Sequence, residues 1–209
     1  MPTTPAGDPR RAERRRQTRE TTVTVALDLD RLPADGEDAA IATSVPFLDH
    51  LLGGFARHGR FTLRVSASGD TRIDDHHTVE DVGITLGQAL LAALGERRGI
   101  VRFGTAYAPM DEALARAVCD ISGRPYLVYE LGSVALPARV GAFDTQLVEE
   151  FWRGFATEAR LALHLDLLRG RNAHHCLEAL FKAAGLALHA ATRPHPGDAG
   201  IPSTKGVLG

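Results

Sequence analysis

The chain has 209 residues, 44% of them apolar and 24% charged, with 24 basic and 26 acidic side chains and a net charge of −2. This composition predicts a globular chain, and the near balance of charge argues against a dedicated nucleic-acid or membrane-surface binder. Two cysteines, Cys119 and Cys176, are too few for a disulfide framework, and no apolar run approaches the roughly 20 residues of a bilayer span, so a soluble, cytoplasmic protein is expected.

Residues 1–17 carry Arg10, Arg11, Arg14, Arg15 and Arg16 without apolar periodicity and read as a flexible arm. From Thr22, the alternation of Val23, Val25, Leu27 and Leu29 predicts a strand ending at a turn cluster, Pro33 to Asp38. Pro46 then precedes Phe47, Leu48, Leu51, Leu52 and Phe55, spaced as one face of a helix. Phe61, Leu63 and Val65 alternate as another strand, and a longer helix is predicted from about Asp75 to Leu94.

The second half repeats this order. Phe55-Ala56 and Arg60 recur as Phe155-Ala156 and Arg160 at an offset of 100, and His76-His77 with Glu80 recurs as His174-His175 with Glu178 at an offset of 98. Such self-similarity predicts an α+β fold of two pseudo-symmetric half-domains, 18–107 and 108–209, each a small sheet with two helices on one face.

The repeated motif carries the chemistry. Helical residues four apart lie about 40° from each other, so His76 and Glu80 can chelate one ion, as can His174 and Glu178. Adjacent histidines point about 100° apart, so His77 and His175 serve a different ion from their neighbours. Two motifs around a twofold thus supply two three-ligand sites, with His50 and His164 as candidates to complete them. Imidazole with carboxylate and no thiolate suits manganese, iron, nickel or zinc, and open coordination positions favour catalysis. A lone histidine is ordinarily a capping or core residue, the reading taken for His58, His189 and His195; for His50 and His164 that reading stands beside the ligand one.

Several ordered segments resemble the imidazoleglycerol-phosphate dehydratase family across about residues 16–208: Arg16 to Thr21, Pro46-Phe47-Leu48-Asp49-His50, Asp74 to Asp81, Pro109-Met110-Asp111-Glu112, Ser122-Gly123-Arg124-Pro125, Asn172 to His175 with Phe181-Lys182, and Pro202 to Gly206. The resemblance implies a monofunctional, duplicated four-stranded unit with its helices packed between the sheets. It also implies a homo-oligomer of 24 subunits, built from trimers, with active sites between protomers. The implied reaction is dehydration of D-erythro-imidazole glycerol phosphate to imidazole acetol phosphate in histidine biosynthesis.

By the same resemblance, one manganese ion would be held by His50, His77, His174 and Glu178, and a second by His76, Glu80, His164 and His175. Arg102, Arg124, Ser203 and Lys205 would hold the phosphate, His58 would contact substrate, and Lys182 would lie near it. Glu20 would reach the glycerol portion and is the candidate base. The proton to be removed has no carbonyl beside it, so an electron sink is required. Two metals on the ring nitrogens would favour an imidazolate, which expels hydroxide to give a diazafulvene that acidifies the next carbon. A metal-dependent hydrolase and a non-catalytic metal-buffering shell are the other classes considered. The second gives Arg102, Arg124, Ser203 and Lys205 nothing to do.

Overall fold

The computed structural model describes residues 10–31, 40–197 and 199–208. In chain order the elements are β1 (Arg11–Gln17), β2 (Thr21–Asp28), β3 (Ile41–Ala42), α1 (Pro46–Gly59), β4 (Thr62–Gly69), α2 (His76–Leu94), β5 (Phe103–Met110), β6 (Ala113–Asp120), β7 (Tyr126–Glu130), β8 (Arg139–Val140), β9 (Phe143–Asp144), α3 (Leu147–Ala159), β10 (Ala162–Arg169) and α4 (Ala173–Thr192). They build two four-stranded sheets of matching design, β1-β2-β4-β3 and β5-β6-β10-β7, each with one parallel pair at its edge.

Alternation decides which face each sheet buries. Val23, Val25, Leu27, Leu63 and Val65 of the first sheet point inward, as do Ala115, Ala117, Leu163 and Leu165 of the second, while the residues between them face outward. The four helices fill the space between these inner faces. Each long helix lies on its own sheet, α2 on β1 and β2, α4 on β5 and β6. The short helices cross over: α1 packs on α4, and α3 packs on α2. Phe55, Phe151, Trp152, Phe155 and Phe181 meet where they cross, all buried.

The crossings are close because glycine permits it. A Cβ at Gly87 of α2 would fall 2.5 Å from the Phe155 carbonyl oxygen of α3, and one at Gly185 of α4 would fall 2.5 Å from the Phe55 oxygen of α1. Gly87 and Gly185 stand at equivalent repeat positions, as do Phe155 and Phe55. The two crossings are one contact used twice.

Two expectations change. The arm expected over residues 1–17 is a strand from Arg11 to Gln17, paired antiparallel with β2 from Arg11 opposite Asp28 to Gln17 opposite Thr22. The backbone ladder needs no apolar side chains, and Arg16 adds a 2.6 Å bond from Nε to the buried Asp81 of α2. Residues 1–9 and the Pro33 to Asp38 turn lie outside the described residues. The boundary between the halves falls between Leu94 and Phe103 rather than at 107/108, because the whole of β5 pairs with β6. Among the described residues, no helix is long and apolar enough to cross a membrane.

Candidate metal centre

Both histidine motifs open a long helix, and the same device starts each one. The Asp74 carboxylate accepts the His76 amide at 2.9 Å, and the Asn172 side-chain oxygen accepts the His174 amide at 3.0 Å. These satisfy amides that the first helical turn leaves without carbonyl partners. The helical period then sets His174 and Glu178 together, with Nε2 and Oε2 at 3.2 Å.

Helix α1 crosses α4 at this point and adds His50. Its Nε2 lies 3.1 Å from Glu178 Oε2 and 3.1 Å from His174 Nε2. His50, His174 and Glu178 thus gather three ligand atoms within 4.8 Å of one another, the donor set of a divalent cation. Phe47 backs the two rings, its centroid 5.1 Å from that of His174. The second Glu178 oxygen accepts from Lys182 Nζ at 2.6 Å, and the same ammonium reaches Met110 Sδ at 3.4 Å. Burial would raise the Glu178 carboxyl, but bonds from Lys182 and His50 outweigh it and hold the group at about 2.

The other motif residues do not join this cluster. His77 turns Nδ1 to the Asp70 carboxylate at 3.1 Å, and His175 turns Nδ1 to Glu112 Oε2 at 2.8 Å. These partners raise both imidazoles above the ordinary value, the hydrogen bond being the leading cause in each. Glu112 also accepts the amides of Asn172 at 2.7 Å and Arg171 at 3.1 Å. His76 lines a cleft with Asp74, Asp75, Arg139 and Asp144. Among the described residues, no single group gathers His76, Glu80, His164 and His175. His164 is exposed on the outer face of β10, opposite to the face that Leu163 and Leu165 bury. Neither composition nor spacing assigns Asp70, Glu112 or Phe47 to the site: Glu112 meets His175 from 63 positions away, Phe47 meets His174 across two helices, and Asp70 meets His77 only because the β4–α2 connection folds back.

Arg102 ties together the segments that carry Arg124, Ser203 and Lys205, near the C-terminal end of α4. Arg102 Nε and Nη2 grip Asp120 at 2.7 and 3.1 Å, and Nη1 donates to the Pro202 carbonyl at 2.7 Å, which brings the Ser203–Lys205 segment alongside. Ile121 donates its amide to Arg102 O at 3.1 Å, so the loop bearing the exposed Arg124 starts there too. Arg102 also donates its amide to Ala191 O at 2.8 Å, near the end of α4. His174 starts that helix, so the two ends lie about 26 Å apart along its axis at 1.5 Å per residue. One chain therefore holds Arg102 and the histidine cluster at opposite ends of α4.

Glu20 sits in the β1–β2 turn, lining a shallow cleft with Arg19, Ser68 and Gly69. His58 is exposed on α1; desolvation and the nearby Lys182 ammonium lower its imidazole. His189 closes the last turn of α4, its carbonyl accepting from Thr192, and His195 donates its amide to Gly99 O at 2.7 Å.

The family model for imidazoleglycerol-phosphate dehydratase matches residues 43–188. The chain is 56% identical over 200 residues to the imidazoleglycerol-phosphate dehydratase of Aromatoleum aromaticum, covering 95% of this chain and 100% of that one. Against the same-named protein of Bacillus subtilis it is 52% identical over 199 residues, with coverage of 95% and 100%. The crystal structure of imidazoleglycerol-phosphate dehydratase from Staphylococcus aureus superposes with a TM-score of 0.76 at 42% identity, covering 88% of this chain and 99% of that one. A Pyrococcus furiosus structure in complex with (S)-C348 gives 0.75 at 38% identity, covering 93% and 100%.

Proposed function

The chain belongs to the imidazoleglycerol-phosphate dehydratase family, and on that premise we propose that it is a hydro-lyase dehydrating D-erythro-imidazole glycerol phosphate to imidazole acetol phosphate in histidine biosynthesis. The observation that carries this reading is the convergence of His50, His174 and Glu178 from two helices on one point. Nitrogen and carboxylate donors without thiolate fit manganese or a similar divalent ion, and the Glu178 carboxylate is ionised and ready to ligate.

On this proposal one ion is held by His50, His77, His174 and Glu178, and a second by His76, Glu80, His164 and His175. When bound, two such ions supply the Lewis acidity that the ring-anion and diazafulvene route requires at the imidazole nitrogens. The chain's own groups do the rest. Arg102, Arg124, Ser203 and Lys205 bind the phosphate dianion, where guanidinium forks and an ammonium suit its oxygens. Lys182 neutralises Glu178 and lies near the substrate, and His58 contacts the substrate. Glu20 takes the proton from the carbon adjoining the one that loses its hydroxyl.

The separation of about 26 Å along α4 supports a site shared between copies of the chain. It is far beyond the reach of one ring carrying a three-carbon phosphate ester. His77, on α2 and outside the His50 cluster, and His164, on the outer face of β10, support the same reading, as do the exposed Phe103, Tyr107 and Tyr126 of the second sheet. We take the assembly to be a shell of 24 subunits built from trimers.

Measuring ketone formation from imidazole glycerol phosphate, before and after metal chelation, tests the proposal. Metal-dependent product supports the lyase. No turnover with manganese, zinc, iron or nickel would overturn it, and turnover only of an ester or amide would favour a hydrolase.

A further inference from the structure

His77 and His175 occupy the same place in the two motifs and share a feature that His76 and His174 lack: each presents Nδ1 to a carboxylate. The distances are 3.1 and 3.2 Å to the two oxygens of Asp70, and 2.8 Å to Glu112 Oε2. A carboxylate only accepts, so the proton of a neutral imidazole beside it sits on Nδ1 and the lone pair on Nε2. At His175 the nearest acidic oxygen to Nε2, from the exposed Asp111, is 3.7 Å away and outside hydrogen-bond range. Nε2 is thereby left to accept a cation.

The two carboxylates arrive by different routes. Glu112 ends the turn before β6, and its counterpart in the first half is Glu20, which ends the turn before β2. In the second half this hairpin glutamate takes the imidazole itself. In the first half Asp70, immediately after β4, takes it, and the Glu20 carboxylate makes no hydrogen bond or ion pair among the described residues. The duplication has kept a carboxylate at Nδ1 while changing where it comes from, which marks the contact rather than the position as what is retained.

We propose that Asp70 and Glu112 are positioning residues that lock the Nδ1-protonated tautomer and the ring orientation of His77 and His175, and so present each Nε2 to a divalent cation. The inference rests on the ligand assignments proposed above. Carboxylates behind ligating imidazoles ordinarily contribute 10–100-fold in metal affinity. Glu112 is further restrained because the amides of Arg171 and Asn172 both bind its Oε1, fixing which oxygen faces His175. In Glu112→Gln the retained oxygen would keep those amides and the NH2 would face Nδ1. That donor forces the proton to Nε2, where it blocks a metal.

The test uses chelator-treated protein titrated with manganese chloride by calorimetry, comparing the unmodified chain with Glu112→Gln and Asp70→Ala. The unmodified chain should bind two ions per chain. Each variant should weaken one of the two by about 10–100-fold and leave the other unchanged, since His77 and His175 belong to different ions. Proton–nitrogen correlation spectra of the metal-free protein should show the His175 proton moving from Nδ1 to Nε2 in Glu112→Gln. Unchanged isotherms in both variants, or equal loss at both ions in either one, would overturn the inference. A chain that takes up no manganese even unmodified would instead overturn the metal reading on which it depends.

Discussion

At Glu178, two oxygens serve three partners: His50 and His174 share Oε2, and Lys182 holds Oε1. Removing either imidazole takes away one of three gathered donors and leaves a buried carboxylate facing a gap. His50→Ala and His174→Ala should each lower dehydration turnover at least about 100-fold, about 2.7 kcal/mol of barrier, and steady-state assay of ketone formation checks this. Glu112 makes a separate prediction. The hydrogen bond to His175, then those from the backbone, depress its carboxyl from 4.5 to about 2. Its contribution to stability is therefore complete above the unfolded value and drains away as pH falls from about 4.5 toward about 2. Metal-free Glu112→Gln should show a flatter loss of thermal stability across that interval by circular dichroism; an acid limb identical to that of the unmodified chain would refute it. The thiols are simpler. Burial pushes Cys119 up to about 12 and also raises Cys176, so neither should react with a thiol reagent until denaturant is added, and then both should.

At the scale of elements, legibility followed periodicity. The His174–Glu178 pair was readable because a helix places residues four apart on one side, and the strands of Val23 to Leu29 and Phe61 to Val65 were readable because they alternate. β1 was not. Its stabilisation comes from main-chain pairing and from Arg16 meeting Asp81 of α2, a residue 65 positions away. Asp70 and Glu112 were opaque because the path of a connection sets their contacts, the β4–α2 connection for Asp70 and the β5–β6 hairpin for Glu112, and no spacing rule reads either. The helix crossings yield a paired prediction. Gly185→Ala would force a methyl into the Phe55 carbonyl and should destabilise the protein by about 1–3 kcal/mol. Gly53→Ala, with nothing within 4 Å of the added carbon, should stabilise α1 by about 0.5–1 kcal/mol. Thermal midpoints should move in opposite directions.

For the whole molecule, the distance between the two ends of α4 governs what one chain can accomplish. A chain with Arg102→Ala and a chain with His174→Ala should each be inactive alone. Co-expressed, they should recover part of the activity, because some sites then draw an intact basic end from one copy and an intact histidine end from the other. Mixtures no more active than the separate variants would show that each chain completes its own site.

The exchange of short helices, with α1 lying on α4 and α3 on α2, carries a historical implication. A primitive polypeptide of half this length could cover its long helix only by lending its short one to a twin and borrowing the twin's in return. Fusion of two such copies would turn a bargain between molecules into an internal arrangement, in which positions such as His50 and its sister Glu150 are no longer bound to match. Severed at the joint before Phe103, either fragment should seek the other again.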